Sequence, residues 1–186
     1  KVADGAGASG GAGGSGQAQL QVDKAQVGTI RWHNQAEQNN TLDTSFFASK
    51  KPYHRQEFGF SAHSGQCTAF IGFRSNIGVS TMPTTENHAG IQWTGTAWQL
   101  TRADGTTQGT VALVTVPTAA SRNVVEVYIN AATDLEIWIS GVREAVITTN
   151  LPTGALEWEI LFRSSGGGAG NDYATLGEVL VQELLA

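Results

Sequence analysis

The chain has 186 residues and a mass of 19.6 kDa, the size of one domain or of one domain with a tail. Eleven Lys and Arg against 16 Asp and Glu leave a net charge of −5, which excludes the basic footprint of a phosphate-backbone binder. No apolar run approaches the roughly 18 residues of a membrane-spanning helix, and a charged fraction of 15% with 23 Gly favours strands and turns over helices.

Residues 1–16, KVADGAGASGGAGGSG, include seven Gly and cannot bury enough apolar surface to fold alone. The tract reads as a Gly-rich linker or arm, and residues 17–186 as the domain. A chain that opens on Lys1 without Met, and without an apolar signal core, reads as a fragment or a processed product. Short alternating runs at 17–22 and 27–32 predict strands, and the polar stretch 33–51 predicts a long loop. Further strands are expected at 56–61, 66–74 and 77–81. The segment AGIQWTGTAWQLTRADGTTQG predicts a hairpin with turns at Thr94-Gly95 and Asp104-Gly105. The run 110–116 is rich in β-branched residues. Cys67, the only cysteine, sits in the apolar run QCTAFIGF and reads as an inert core thiol.

The C-terminal third gives five clear strands, at 122–130, 135–140, 142–148, 155–163 and 178–185. Period-2 alternation assigns their faces. Val125, Val127 and Ile129 share one side and Val124, Glu126 and Tyr128 the other; Leu135, Ile137 and Ile139 oppose Glu136 and Trp138. A three-residue loop at 131–133 predicts Val127 opposite Ile137 and Glu126 opposite Trp138. In ALEWEILFR, the core stripe is Leu156, Trp158, Ile160 and Phe162, with Glu157 and Glu159 facing away. Many short strands at regular spacing, without a sustained helical period, predict an all-β sandwich or barrel.

The run VYIN, the strand-turn-strand LEIWISGVREAVITTN and the closing LPTGALEWEILFRSSGGGAGNDYATLGEVLVQEL resemble the end of a concanavalin A-like (laminin-G-like) jelly roll. QEFGFSAHSGQCTAFIGFRS followed by AGIQWTGTAWQL resembles the central strands of that superfamily. The resemblance spans about residues 17–185 and implies a two-sheet antiparallel jelly-roll sandwich with a Gly-rich N-terminal arm. The Gly-rich lead-in, the Thr-, Asn- and Gly-rich loops and the low charge resemble bacteriophage tail-fibre and other virion adhesin domains of this fold.

Candidate sites follow from the outward residues. Tyr128 and Trp138 can stack sugar rings, with Glu126, Glu136, Glu157 and Glu159 accepting hydroxyl hydrogens. The competing reading buries these aromatics under a loop or at a subunit contact. Trp93 and Trp98 flank a turn and read first as hairpin packing. Glycoside hydrolases of this fold need paired carboxylates. Glu157-Trp158-Glu159 is the nearest such pair, but it lacks the Glu-x-Asp-x-Glu run of laminarinase-type relatives and reads as a solvated strand face. Asn171-Asp172 is the best calcium candidate, although single acids in separate loops make a poor cage. Lys50, Lys51, His54 and Arg55 read as a small basic loop cluster. SGGGAG at 165–170 lacks the GK[ST] of a phosphate loop and reads as a turn.

The functional expectation from the resemblance is a non-enzymatic virion structural or adhesin module. It would be extracellular and a homotrimer, contacting host-surface glycans or other virion subunits, with no cofactor, metal, nucleic acid or membrane insertion. The rivals are a carbohydrate-binding module of a larger enzyme, a capsid or collar decoration protein, and a glycoside hydrolase or lyase.

Overall fold

Alternation of apolar and polar residues decides the architecture. In β11 (Asn123–Asn130) the side chains of Val125, Val127 and Ile129 are fully buried, as are those of Leu135, Ile137 and Ile139 in β12 (Asp134–Ile139). The two strands pair antiparallel with Val127 opposite Ile137 and Glu126 opposite Trp138, the register that the loop length predicts. Ser140 and Gly141 then turn the chain into β13 (Val142–Ile147). Both have positive φ, 49° and 84°, the type I′ geometry whose twist matches a two-residue hairpin.

The computed structural model describes residues 2–5, 8–12, 18–25, 27–33, 46–60, 65–75, 81–119, 121–130 and 133–184. Among these the remaining strands are β1 (Val2–Gly5), β2 (Ala8–Ala12), β3 (Ala18–Asp23), β4 (Val27–His33), β5 (Phe46–Phe47), β6 (Pro52–Phe60), β7 (Cys67–Arg74), β8 (His88–Trp93), β9 (Trp98–Ala103), β10 (Gln108–Ala112), β14 (Ala155–Ser165) and β15 (Asn171–Glu183). They form two antiparallel sheets. An eight-stranded sheet runs β1-β4-β14-β7-β8-β9-β10 with β5 on β14, and a seven-stranded sheet runs β13-β12-β11-β6-β15-β3-β2. This is the jelly-roll sandwich. Two stretches of the Gly-rich tract belong to it, β1 beside β4 and β2 beside β3.

The inner faces meet in one apolar core. Leu156, Trp158, Ile160 and Phe162 of β14 lie in it, as their alternation predicts, and so does the buried thiol of Cys67. Trp93 and Trp98 pack within the hairpin core, their ring centroids 5.8 Å apart. Other expectations differ from the structure or fall outside it. Strand β6 begins at Pro52, so Arg55 lies on a sheet and His54 in the core, not in a basic loop. Their alternation was masked by polar residues on both faces of one strand. The last strand starts at Asn171, seven residues early, because its first half alternates small and polar residues. Most of the strand expected at 77–81 lies outside the described residues.

The two outer faces differ. On the eight-stranded sheet, Arg74 and Glu159 are fully buried and paired at 3.0 Å, and Arg74 also holds Glu86 at 2.6 Å and the Thr81 carbonyl at 3.1 Å. Gln108 donates to the Pro83 carbonyl at 3.4 Å, so the segment 81–87 is tied across this face. His88 lies beneath it. Its Nδ1 donates to the Glu86 carbonyl, leaving Nε2 to accept from the Thr101 hydroxyl. The expectation that Glu159 faces solvent is therefore corrected. Alternation puts it away from the core, but the tied segment covers it.

Breaking a buried ion pair from one side leaves a desolvated charge behind. Arg74→Met is therefore expected to destabilise the fold by about 3–5 kcal/mol, and the double variant Arg74→Met/Glu159→Met by much less, as read by urea unfolding. His54 supplies a pH dependence. It is buried without a hydrogen-bond partner between Phe73 and Trp158, and burial pushes its pKa down to about 3. Between about pH 6.5 and 3 the unfolded chain binds a proton that the folded chain refuses, so stability is full above this window and falls as pH drops through it. His54→Leu is expected to flatten that decline, measured as the difference in urea midpoint between pH 7 and pH 4.5.

Candidate functional site

The outer face of the seven-stranded sheet carries a row of functional groups. Core-facing His54, Gln56, Phe58 and Phe60 force Tyr53, Arg55, Glu57 and Gly59 of β6 outward. The register then sets Tyr53 beside Tyr128, Arg55 beside Glu126, and Glu57 beside Val124, with Trp138 next in line after Glu126. Four of the six residues expected in a ligand site, Glu126, Tyr128, Glu136 and Trp138, thus share this face and are half-buried on it. Glu157 and Glu159 do not join them, because β14 lies in the opposite sheet.

Each group on the face has a partner. The Tyr53 hydroxyl donates to Glu126 Oε2 at 2.6 Å. Trp138 Nε1 donates to Glu136 Oε2 at 3.0 Å, and the Arg143 guanidinium lies 5.9 Å from the Trp138 ring centroid, over its face. Tyr128 donates to Asn130 Oδ1 at 3.4 Å. Arg55 pairs with Glu178 at 2.9 Å, and Arg122 Nε with Glu57 Oε1 at 3.0 Å.

A bulge in β15 completes the row. The pairing of β15 with β6 shifts between Leu176 and Val179, which frees Gly177 and Glu178 from the ladder. Glu178 turns to Arg55, and its backbone N–H approaches Glu57 Oε2 at 3.4 Å. A Cβ on Gly177 would overlap the Glu57 carboxylate, so any side chain there would push that carboxylate aside. Beyond Glu57 the face dips into a cavity of about 300 Å³.

Glu57 and Glu126 are diagonal neighbours across β6 and β11, each adjoining Arg55, as Glu126 and Glu136 are across β11 and β12. The Cα atoms of such diagonal cross-strand neighbours sit about 7–8 Å apart. The Tyr53 hydroxyl is pushed up to about 12, first by burial and then by the hydrogen bond and charge of Glu126, with Arg55 opposing. Near neutrality it is a fixed proton donor. Sequence reasoning missed Tyr53, Glu57 and Arg122, and placed Arg55 in a basic loop cluster where the structure has it on β6. The signal was present in PYHRQEF, where Tyr53, Arg55 and Glu57 recur every second residue.

No family model matches the chain, and no curated protein matches its sequence. Solved structures match its fold. An alginate lyase of polysaccharide lyase family 7 superposes with a TM-score of 0.66 at 7% identity, over 95% of this chain and 82% of that one. A Bacillus licheniformis β-glucanase gives 0.66 at 12%, over 94% and 82%. A sialidase gives 0.64 at 11% over 96% of this chain, which spans only 16% of the sialidase's length. At such identities the likeness carries the fold, and that fold is consistent with the concanavalin A-like resemblance. The expectation of a non-enzymatic virion adhesin is corrected: these matched structures are carbohydrate-active enzymes, and the likeness to tail fibres rested on composition, which does not define a site.

Two outcomes check the geometry. In an ultraviolet titration Tyr53 should ionise near pH 12, and Glu126→Gln should lower that value only in part, because burial is the larger cause. Gly177→Ala should leave the thermal midpoint within a few degrees, because it displaces a flexible carboxylate, yet it should weaken the Glu57–Arg122 contact seen in a crystal structure of the variant.

Proposed function

We propose that the protein is a glycan-cleaving enzyme, and that its substrate lies across the open face of the seven-stranded sheet. The observation that carries this reading is the diagonal pair Glu57 and Glu126, on a face where Tyr53, a protonated phenol, is bonded to one of them. Glycoside hydrolysis needs two carboxyl groups flanking the scissile bond. A separation of about 6.5–9.5 Å leaves room for a water on the far side of the sugar, the arrangement of inverting hydrolysis.

In this reading Glu57 is the anchored anion. Arg122 holds one of its oxygens, and the other points toward the Glu178 amide. It takes the proton from the attacking water. Glu126, as the carboxylic acid, gives its Oε1 proton to the leaving glycosidic oxygen as the C–O bond breaks, and ends as the carboxylate that accepts from Tyr53. Tyr53 stays protonated at working pH and fixes Glu126 by its Oε2, leaving Oε1 outside that bond. Trp138, held upright by Glu136 and covered by Arg143 on one side, forms a wall of the cleft. The matched enzymes support the reading through the fold alone.

The test is a panel of soluble polysaccharides assayed for new reducing ends and for ultraviolet-absorbing unsaturated products. Hydrolysis is expected, with Glu57→Gln and Glu126→Gln each lowering kcat by about 10²–10⁴-fold and Tyr53→Phe by less. Unsaturated products would overturn hydrolysis in favour of elimination with Tyr53 as the acid. Unaltered kcat in both Glu variants would remove this face as the site.

A further inference from the structure

The cavity beside Glu57 has its own chemistry. Its walls come from Gln19 on β3, Tyr173 and Thr175 on β15, and Ser121 and Arg122 at the entry to β11. Phe58, Gly59 and Phe60 of β6 line it as well, and the Ser121 carbonyl oxygen closes over Gly59, 3.0 Å from where a Cβ would stand. The wall groups are an amide, two hydroxyls and a phenol, which both donate and accept hydrogen bonds. Tyr173 adds an aromatic surface, half-buried on the outer face. The charged groups are Glu57 and Arg122, and they neutralise one another at 3.0 Å.

The charges around the cavity point the same way. Along the face Glu57, Glu126, Glu136 and Glu178 outnumber Arg55, Arg122 and Arg143. Arg55 is engaged with Glu178, Arg122 with Glu57, and Arg143 lies over Trp138. An anionic sugar entering beside Glu57 would have to displace a carboxylate from its guanidinium and would meet the remaining acids as like charges. An uncharged ring exchanges its hydroxyls with Gln19, Ser121 and Thr175 and lays its C–H face on Tyr173 at no such cost. A volume of about 300 Å³ is within the range of small-ligand sites.

We infer that this cavity is a subsite for one uncharged sugar ring of a neutral glycan, placed next to the Glu57–Glu126 pair; the inference rests on the cleaving face proposed above and names its substrate class. It predicts that the glycan chain runs across β6 from Trp138 toward β3, with the carboxylates between the two ends. Uronate polymers are excluded as preferred substrates.

The test is affinity electrophoresis of the full chain in gels holding either neutral polysaccharides (mixed-linkage β-glucan, glucomannan, xyloglucan) or anionic ones (alginate, polygalacturonate). Retardation by at least one neutral polymer and by neither anionic polymer is expected. Tyr173→Ala and Gln19→Trp should each raise the apparent Kd about tenfold or more, with Gln19→Ala as the milder variant and far-ultraviolet circular dichroism confirming that all fold. Stronger retardation by an anionic polymer, retardation by none, or equal binding by both cavity variants would overturn the subsite. Glu126→Gln separates the two claims. Neutral-glycan binding that depends on Tyr173, without cleavage by the wild type, would uphold the subsite and sink the enzyme reading. Cleavage that needs Glu126 while binding ignores Tyr173 and Gln19 would do the reverse.

Discussion

The register of three strands, β6, β11 and β12, is the constraint on which the rest depends. Val127 sits between His54 and Ile137, and all three point into the core. Because side chains alternate strictly, the same register that buries this row places Glu126 between Arg55 and Trp138 on the other side. A slip by one residue would expose the valines and isoleucines and bury three charged or polar groups without partners, at a cost of several kcal/mol. The core therefore does more than stabilise. It fixes which carboxylates become diagonal neighbours, and no loop is needed to bring them together.

The two outer faces show why one of them is covered and the other stays open. On the eight-stranded sheet, Arg74 gathers Glu159, Glu86 and the Thr81 carbonyl and ties a connecting segment down. A buried pair of this kind contributes little net stability against a hydrophobic alternative, but it is satisfied in few arrangements and so specifies where the segment lies. His88 fits the same logic. Burial lowers its pKa to about 4, and as a neutral ring it can both donate to Glu86 and accept from Thr101. On the seven-stranded sheet the corresponding side chains remain half-exposed, and their partners are one another.

The sequence was legible where one face of a strand is apolar and the turn is short. The β11–β12–β13 unit shows both features: Val-x-Val-x-Ile, Leu-x-Ile-x-Ile, and a Ser140-Gly141 turn that needs positive φ. Its alternation also placed Glu126, Tyr128, Glu136 and Trp138 on the open face. Only the second half of β6 was legible, as the run 56–61, because His54 and Gln56 occupy core positions and give PYHRQEF the look of a polar loop. Period 2 could say that Glu157 and Glu159 point away from the core, but not that a segment 70 or more residues earlier would cover Glu159. Likewise Tyr53 and Glu126 are 73 residues apart, and only the sheet order brings them to 2.6 Å. Composition misled on function, since Gly, Thr and low charge describe the sandwich and not what its face does.

The irregularities argue that this face is more than an outer surface. Bulges give up ladder hydrogen bonds and add nothing to the core. One interrupts β15 where Glu57 needs space and Arg55 needs a carboxylate, and Gly177 and Glu178 meet both needs. The other interrupts the β12–β13 pairing between Ile137 and Trp138. There Glu144 leaves the ladder to accept the backbone N–H groups of Val114 and Thr115 at 2.6 and 3.0 Å, while Arg143 pairs with Trp138 and lies over its ring. Both breaks flank the carboxylate row. Bulges concentrate at sheet edges and where a side chain has to be re-aimed, and here each break re-aims a charged group on the same face: Glu178 toward Arg55, and Arg143 over Trp138.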